Sequence, residues 1–270
     1  MIIAELHGKL DSSASSYEIS EDILTSNVFQ LIRYLPASEV IIPFLNEALH
    51  AGKTGISIDP SLKWQVDYIF WPRGITMNRE PDLMIQLESD ENSYCFIIEA
   101  KYYSGPSDRE TDESDDGQIS GSQLGDQFID MIKGVYAYNQ ETVKLAAPVK
   151  NRFLLYLTKH TVKPEEVIAV AVKQFKSYRK KYKEIDIEKN LLWANWTAIW
   201  KVLKDIEFKD YPYSIIQEDL VALLEKKGFK YFSGFNLFNW HKSEYSFWVN
   251  EWFNLQYNKM YNKEGGFFYK

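Results

Sequence analysis

Between Pro81 and Tyr103 two apolar runs, Leu83-Met84-Ile85-Gln86-Leu87 and Tyr94-Cys95-Phe96-Ile97-Ile98, enclose a short polar stretch at Ser89–Ser93. Runs of this length around so short a turn read as a β-hairpin, and strands this apolar must be buried in a sheet. Glu99-Ala100-Lys101 continues the second strand, and alternation puts Glu99 and Lys101 on one face and Ile98 and Ala100 on the other. A turn centred between Asp90 and Glu91 sets position 82 opposite position 99, where two carboxylates become cross-strand neighbours. A slip of one residue would part them. Charges in an apolar strand are costly unless paired or coordinated, so Asp82, Glu99 and Lys101 are the first candidates for chemistry. The plainer alternatives are a turn aspartate after Pro81 and the exposed face of an edge strand for Glu99 and Lys101.

Two neighbouring carboxylates suit a hard divalent cation, which takes oxygen ligands and keeps positions open for water and a phosphate oxygen. Such an ion activates water and neutralises charge on phosphorus oxygens, and an adjacent ammonium orients water or stabilises the same charge. The residues by themselves thus point to metal-assisted phosphoryl hydrolysis.

Around the hairpin the spacing predicts alternating elements. Tyr17–Leu49 reads as two helices, the first opened by Ser20-Glu21-Asp22 and ending near Leu35-Pro36, the second over Ser38–Leu49. Residues 64–71 read as a strand closed by Pro72-Arg73-Gly74. The stretch 104–122 is rich in Ser, Asp, Glu and Gly and reads as a solvated loop. Helical spacing follows over Gln123–Asn139, a compact strand over Arg152–Thr158 and a helix with a basic second half over Pro164–Tyr182. Leu191–Trp193 reads as a short strand, Trp196–Leu203 as a helix, and Ile215–Lys227 as a helix stopped by Gly228. The expected class is α/β, a central mixed β-sheet flanked by helices. The expected division is a core over residues 1–160 and a mostly helical, aromatic-rich part over 161–270 packed on it as one domain.

Composition excludes more than it selects. Cys95, the only cysteine, lies in an apolar run and rules out internal disulfides and Cys-based zinc sites. No signal-peptide pattern or membrane-length apolar run is present, so a cytoplasmic protein without a membrane partner is expected. The net charge of −7 is unevenly placed. Residues 1–126 hold 8 Lys+Arg against 22 Asp+Glu, and residues 127–270 hold 23 against 16. Local potential governs encounter with a polyanion, and Lys173, Lys176, Arg179, Lys180 and Lys181 form a basic run suited to phosphates. Its alternative is a solvated helix face. The four histidines, His7, His50, His160 and His241, share no ligand spacing, and Trp193, Trp196 and Trp200 read as core.

Pro81-Asp82, sixteen residues, then Glu99-Ala100-Lys101 resembles the PD-(D/E)XK signature of restriction endonuclease-like nucleases. In that superfamily an acid on the first core helix often joins the metal site, and Glu21 occupies that place. The Gln123-Leu124 pair is similar to the glutamine motif of RecB-like members, although Gln127 stands where those members commonly carry a tyrosine. The layout also resembles bacterial nucleases of anti-phage defence. The resemblance covers roughly residues 17–160. It implies a restriction endonuclease-like core and Mg²⁺ or Mn²⁺ held by Glu21, Asp82 and Glu99. Lys101 and Gln123 would complete the catalytic set, with nucleic acid, DNA by default, as substrate. Control by a protein partner or a homo-oligomer is expected on biological grounds. Two other readings share these residues: a catalytically silent nuclease-fold scaffold of a larger defence complex, and a metal enzyme acting on small phosphates.

Overall fold

The computed structural model describes residues 17–50, 55–102, 122–178 and 185–230, with the side chains of 17–20 excepted. These residues fall within one compact unit, residues 1–231. In chain order the helices are α1 (Tyr17–Ile32), α2 (Ile41–Asn46), α3 (Gln123–Lys133), α4 (Glu165–Tyr178), α5 (Ile187–Asn190), α6 (Trp196–Asp205) and α7 (Tyr211–Lys226). The strands are β1 (Leu49–His50), β2 (Gln65–Phe70), β3 (Arg73–Gly74), β4 (Leu83–Glu88), β5 (Ser93–Lys101), β6 (Val135–Tyr138), β7 (Glu141–Lys144), β8 (Arg152–Thr158) and β9 (Leu191–Asn195).

Six strands form a mixed sheet in the order β1-β9-β8-β5-β4-β2, and β3, β6 and β7 make a smaller one. β5, β8 and β9 run parallel, whereas β2, β4 and β5 pair antiparallel. The sheet separates two apolar cores by side-chain parity. Leu83, Ile85, Ile98 and Leu155 face a layer that includes Leu24, Phe29, Phe44, Trp196 and Leu223, contributed by α1, α2, α6 and α7. Met84, Cys95, Ile97 and Leu154 face the other way, against Leu124, Phe128, Ile168 and Phe175 of α3 and α4. Helices on both faces of a mixed sheet define an α/β architecture. β9 takes its place beside β8, so the sheet draws on sequence beyond residue 160.

Local chemistry explains most boundaries. The β4–β5 turn is closed by Ser89, whose backbone N donates to Asn92 O at 2.8 Å while its Oγ accepts from Asn92 N at 3.0 Å. The resulting register pairs Leu83 with Ile98 and Glu88 with Ser93, which puts the next position, 82, opposite 99. Ser122 caps α3 through Oγ, which accepts from Gly125 N at 3.0 Å. Asn195 caps α6 in the same way through Ala198 N.

Two sequence expectations are corrected. The second helix stops at Asn46 instead of Leu49, because the Asn46 amide bonds Ile58 through both its N and its O, and Leu49–His50 then pairs with β9. The helix expected to reach Asn139 stops at Lys133. Gly134 adopts φ +65, ends the helix in the left-handed region, and leads into the β6–β7 hairpin. A Cβ at Gly134 would lie 2.2 Å from Arg152 Nη1, and Arg152 itself bonds the carbonyls of Met131, Ile132, Leu145 and Ala147. Asn139 and Gln140, with φ of 47 and 68, form the two-residue turn of that hairpin, in keeping with the left-handed preference of such loops.

Candidate active site

The C-terminal end of β5 brings Glu99 and Lys101 to the face covered by α3, and Asp82, just before β4, belongs to the same face. β5 lies between β4 and β8, which rejects the edge-strand alternative, and Glu99 is 2% exposed. The turn alternative for Asp82 is set aside by its contacts, since Oδ2 accepts from Ala100 N at 2.7 Å on the neighbouring strand. Burial makes that bond worth more than a solvated one.

Glu21 arrives from the opposite layer. α1 packs on the other face of the sheet, yet its first turns reach over the end of β5. There Glu21 Oε2 accepts from Tyr102 N at 2.6 Å and Oε1 from Lys101 Nζ at 3.1 Å. Lys101 Nζ also lies 2.7 Å from Glu99 Oε1, so one ammonium bridges acids from two layers. Gln123 Nε2 donates to Glu99 Oε1 at 2.7 Å, and Gln127 Nε2 donates to Glu99 Oε2. The structure therefore brings together all five predicted residues, Glu21, Asp82, Glu99, Lys101 and Gln123, and adds Gln127. Spacing of i, i+4 puts both glutamines on one helical face. That pattern was visible in the sequence and is what identifies Gln127.

The helix that aims these amides is itself held from outside. Gln174 on α4 accepts from Ser122 N at 2.8 Å and donates to Asp126 at 2.9 Å. A Cβ on Gly125 would stand 2.1 Å from Gln174 Oε1, so the absent side chain is what admits this clamp. Asp126 also pairs with Arg79 at 2.9 Å, tying α3 to the segment that precedes Pro81.

The electrostatics are unbalanced. Burial pushes the Asp82 carboxyl well above the usual range, with the Glu99 charge adding to the effect. Burial also raises Glu99, and Lys101 only partly offsets it. For Lys101 burial favours loss of the proton, but the surrounding charges of Glu99, Glu21 and Asp82 outweigh it and hold the ammonium above its ordinary value. Lys101 is therefore a fixed positive charge at neutral pH and not a base. Tyr156, paired with Glu99 on β8, is pushed up to about 12 by burial. Lys159 and Lys227 place their ammonium groups 5.9 and 5.5 Å from the Tyr102 ring, adding positive charge at the same end of the sheet.

Among the described residues no three His, Cys, Asp or Glu side chains form a ready-made metal cage. The donor chemistry nevertheless suits a hard cation. Each carboxylate oxygen accepts about two hydrogen bonds. Glu99 Oε1 is filled by Lys101 and Gln123, while Glu99 Oε2 takes one donor, and Asp82 Oδ1 takes none among the described residues. Those two oxygens keep capacity for an ion, and Mg²⁺ commonly takes only one or two carboxylates beside water.

The predicted phosphate-binding run stands apart. Lys173 and Lys176 are exposed on α4, and Lys176 pairs with Glu188 at 2.9 Å. Neither is bonded to the carboxylate group among the described residues. Arg179, Lys180 and Lys181, like residues 103–121 of the acidic segment, lie outside the described residues. Cys95, Trp193, Trp196 and Trp200 are buried, in line with core roles. No described helix is long and apolar enough to cross a membrane. Compared with known proteins, the chain matches no family model, no curated protein and no solved structure.

Proposed function

We propose that the protein is a metal-dependent nuclease with a restriction endonuclease-like core, acting on nucleic acid in the cytoplasm, DNA by preference, under the control of a protein partner or its own oligomer. The observation that carries this reading is the buried group of Asp82, Glu99 and Glu21 around the Lys101 ammonium. Burial pushes the Asp82 and Glu99 carboxyls toward the protonated form, so holding them as carboxylates calls for more positive charge than Lys101 supplies. Mg²⁺ or Mn²⁺, held by Asp82 and Glu99 with Glu21 beside them, would supply Lewis acidity toward the phosphate and the attacking water.

The chain's own residues do the remainder. Gln123 and Gln127 fix the Glu99 carboxylate in one orientation without neutralising it. The Ala100 amide does the same for Asp82. Lys101 keeps its protons, so it serves by donating from Nζ to the nucleophile or to a non-bridging phosphate oxygen as charge develops there. Water excluded by the two helical layers strengthens each of these contacts.

The test is cleavage of linear, circular and single-stranded DNA with Mg²⁺, Mn²⁺ or EDTA, with Lys101→Ala and Glu99→Gln beside the parent. Metal-dependent cutting lost in both variants is expected, by at least a hundredfold in kcat. Cutting that survives Lys101→Ala would remove this site from the reaction.

A further inference from the structure

Gln123, Asp126, Gln127 and Asp130 are all buried, and they follow one another on α3 at i, i+3, i+4 and i+7. A stripe at that spacing is one helical face, and when it is buried it is ordinarily apolar. Burying four polar side chains in its place is costly unless each is bonded. The glutamines spend their bonds on Glu99. The aspartates spend theirs on the turn that leads to Asp82.

Gly74 N donates to Arg79 O at 2.7 Å and closes residues 74–79 into a loop. Asn78 turns the chain inside it with φ +55, a left-handed conformation that asparagine accepts. The loop is seated on α3. Asp130 Oδ1 accepts from Thr76 N at 2.9 Å and from Met77 N at 2.8 Å, and Asp126 Oδ2 accepts from Arg79 Nε at 2.9 Å. A Cβ on Gly74 would stand 2.2 Å from Asp130 Oδ2, so the bare glycine is what lets this carboxylate in. From Arg79 the chain reaches Asp82 in three residues. Pro81 fixes its own φ and restricts Glu80 before it, so the loop's position passes to Asp82 with little slack. Stability alone does not explain the pairing. Apolar residues in place of a buried ion pair are often as good or better, and Arg79 Nη2 is buried with no hydrogen-bond partner among the described residues.

Resting on the nuclease reading, we infer that Arg79, Asp126 and Asp130 are positioning residues that fix the spacing of Asp82 and Glu99, and through it the cation the pair selects. One helix then holds both carboxylates, Glu99 through amides and Asp82 through the loop. Mg²⁺ demands near-ideal octahedral geometry with oxygens at about 2.0–2.1 Å, whereas Ca²⁺ accepts flexible arrangements at about 2.3–2.6 Å. A pair held at fixed spacing suits the smaller ion, and slack in either member erodes Mg²⁺ binding first.

The experiment titrates Mg²⁺ and Ca²⁺ separately into the protein by calorimetry, with thermal melts in EDTA alongside. Asp130→Ala and Arg79→Leu should weaken Mg²⁺ by about ten- to a hundredfold, the usual cost of losing an outer support of a metal site, and Ca²⁺ distinctly less. Arg79→Leu leaves Asp126 its bond from Gln174 and carries the test where Asp130→Ala does not fold. Asp130→Asn keeps an Oδ1 acceptor for Thr76 and Met77 and should retain the parent's preference. Gly74→Ala, which displaces Asp130, should behave as Asp130→Ala does. Asn46→Ala unties α2 from Ile58 and gives the comparison for lost stability: its Tm should fall while the ratio of the two affinities stays that of the parent. A ratio unchanged in Asp130→Ala and Arg79→Leu, with only the Tm lowered, overturns the positioning alone. A parent that binds neither ion overturns the metal-dependent nuclease reading with it.

Discussion

Lys101→Met isolates what the Lys101 ammonium contributes. The side chain is 12% exposed and lies 2.7 Å from Glu99 and 3.1 Å from Glu21, so solvent screens it little. Removing one partner from a buried pair costs about 3–5 kcal/mol, since the remaining charges stay buried without compensation. At roughly 2–4 °C per kcal/mol for a domain of this size, the Tm should fall by about 6–20 °C.

The loss should depend on pH in a defined direction. Asp82 and Glu99 already hold their protons more tightly than an unfolded chain does, and without the ammonium they hold them tighter still. A carboxyl raised in the folded state favours folding while protonated. That advantage disappears as pH climbs from the ordinary carboxylate range through the raised value. Lys101 in the parent stays charged throughout, because its proton is held above the ordinary lysine value. The gap between parent and variant should therefore be narrow at pH 5 and wide at pH 8. Mg²⁺ stabilises both proteins. It should close part of the gap because the carboxylates stripped of their ammonium bind the cation more tightly, each tenfold in Kd adding about 1.4 kcal/mol to the variant. Thermal melts at pH 5, 6, 7 and 8, with Mg²⁺ or EDTA, read all three effects. A gap constant across that range and indifferent to Mg²⁺ would refute the electrostatic account of this site.

Two further substitutions probe the supports. Gly125→Ala puts a Cβ 2.1 Å from Gln174 Oε1, so Gln174 must release the start of α3; a loss of about 1–3 kcal/mol in urea melts is expected from the unmade buried bonds. Gln127→Leu removes one donor from a buried carboxylate. At about 1.5–3 kcal/mol for a bond to a charged group, kcat should drop by roughly ten- to a hundredfold with KM little changed, measured by steady-state cleavage.

What the sequence disclosed follows the range of the forces involved. The hairpin register was legible because its turn is local: Ser89 and Asn92 close it, and the pairing of positions 82 and 99 follows by counting. The end of α3 was not legible. Val135 continues the apolar helical spacing of Met131 and Ile132, whereas the helix ends in the left-handed Gly134, and Arg152, 18 residues on, bonds its last carbonyls. β1 was missed for the same reason, since its partner β9 begins only at Leu191. The contact between Glu21 and Lys101 joins positions 80 residues apart; the resemblance put Glu21 with the other acids, but neither it nor periodicity foretold the pair.

The choice of amides on α3 bears on how the site works. A lysine or arginine at position 127 would satisfy Glu99 more strongly than an amide does, because charge-assisted bonds are about twice as strong. It would also complete the neutralisation of the carboxylates and remove their attraction for a cation. Two glutamines at i, i+4 orient the same carboxylate through both oxygens while leaving its charge intact. The Lys101 ammonium is bonded to Glu99 and Glu21, while Asp82 is held by a neutral amide. The carboxyl oxygens that Lys101 does not bond are thus those of Asp82 and the second oxygen of Glu99. An arrangement that only served stability would have placed its cation there.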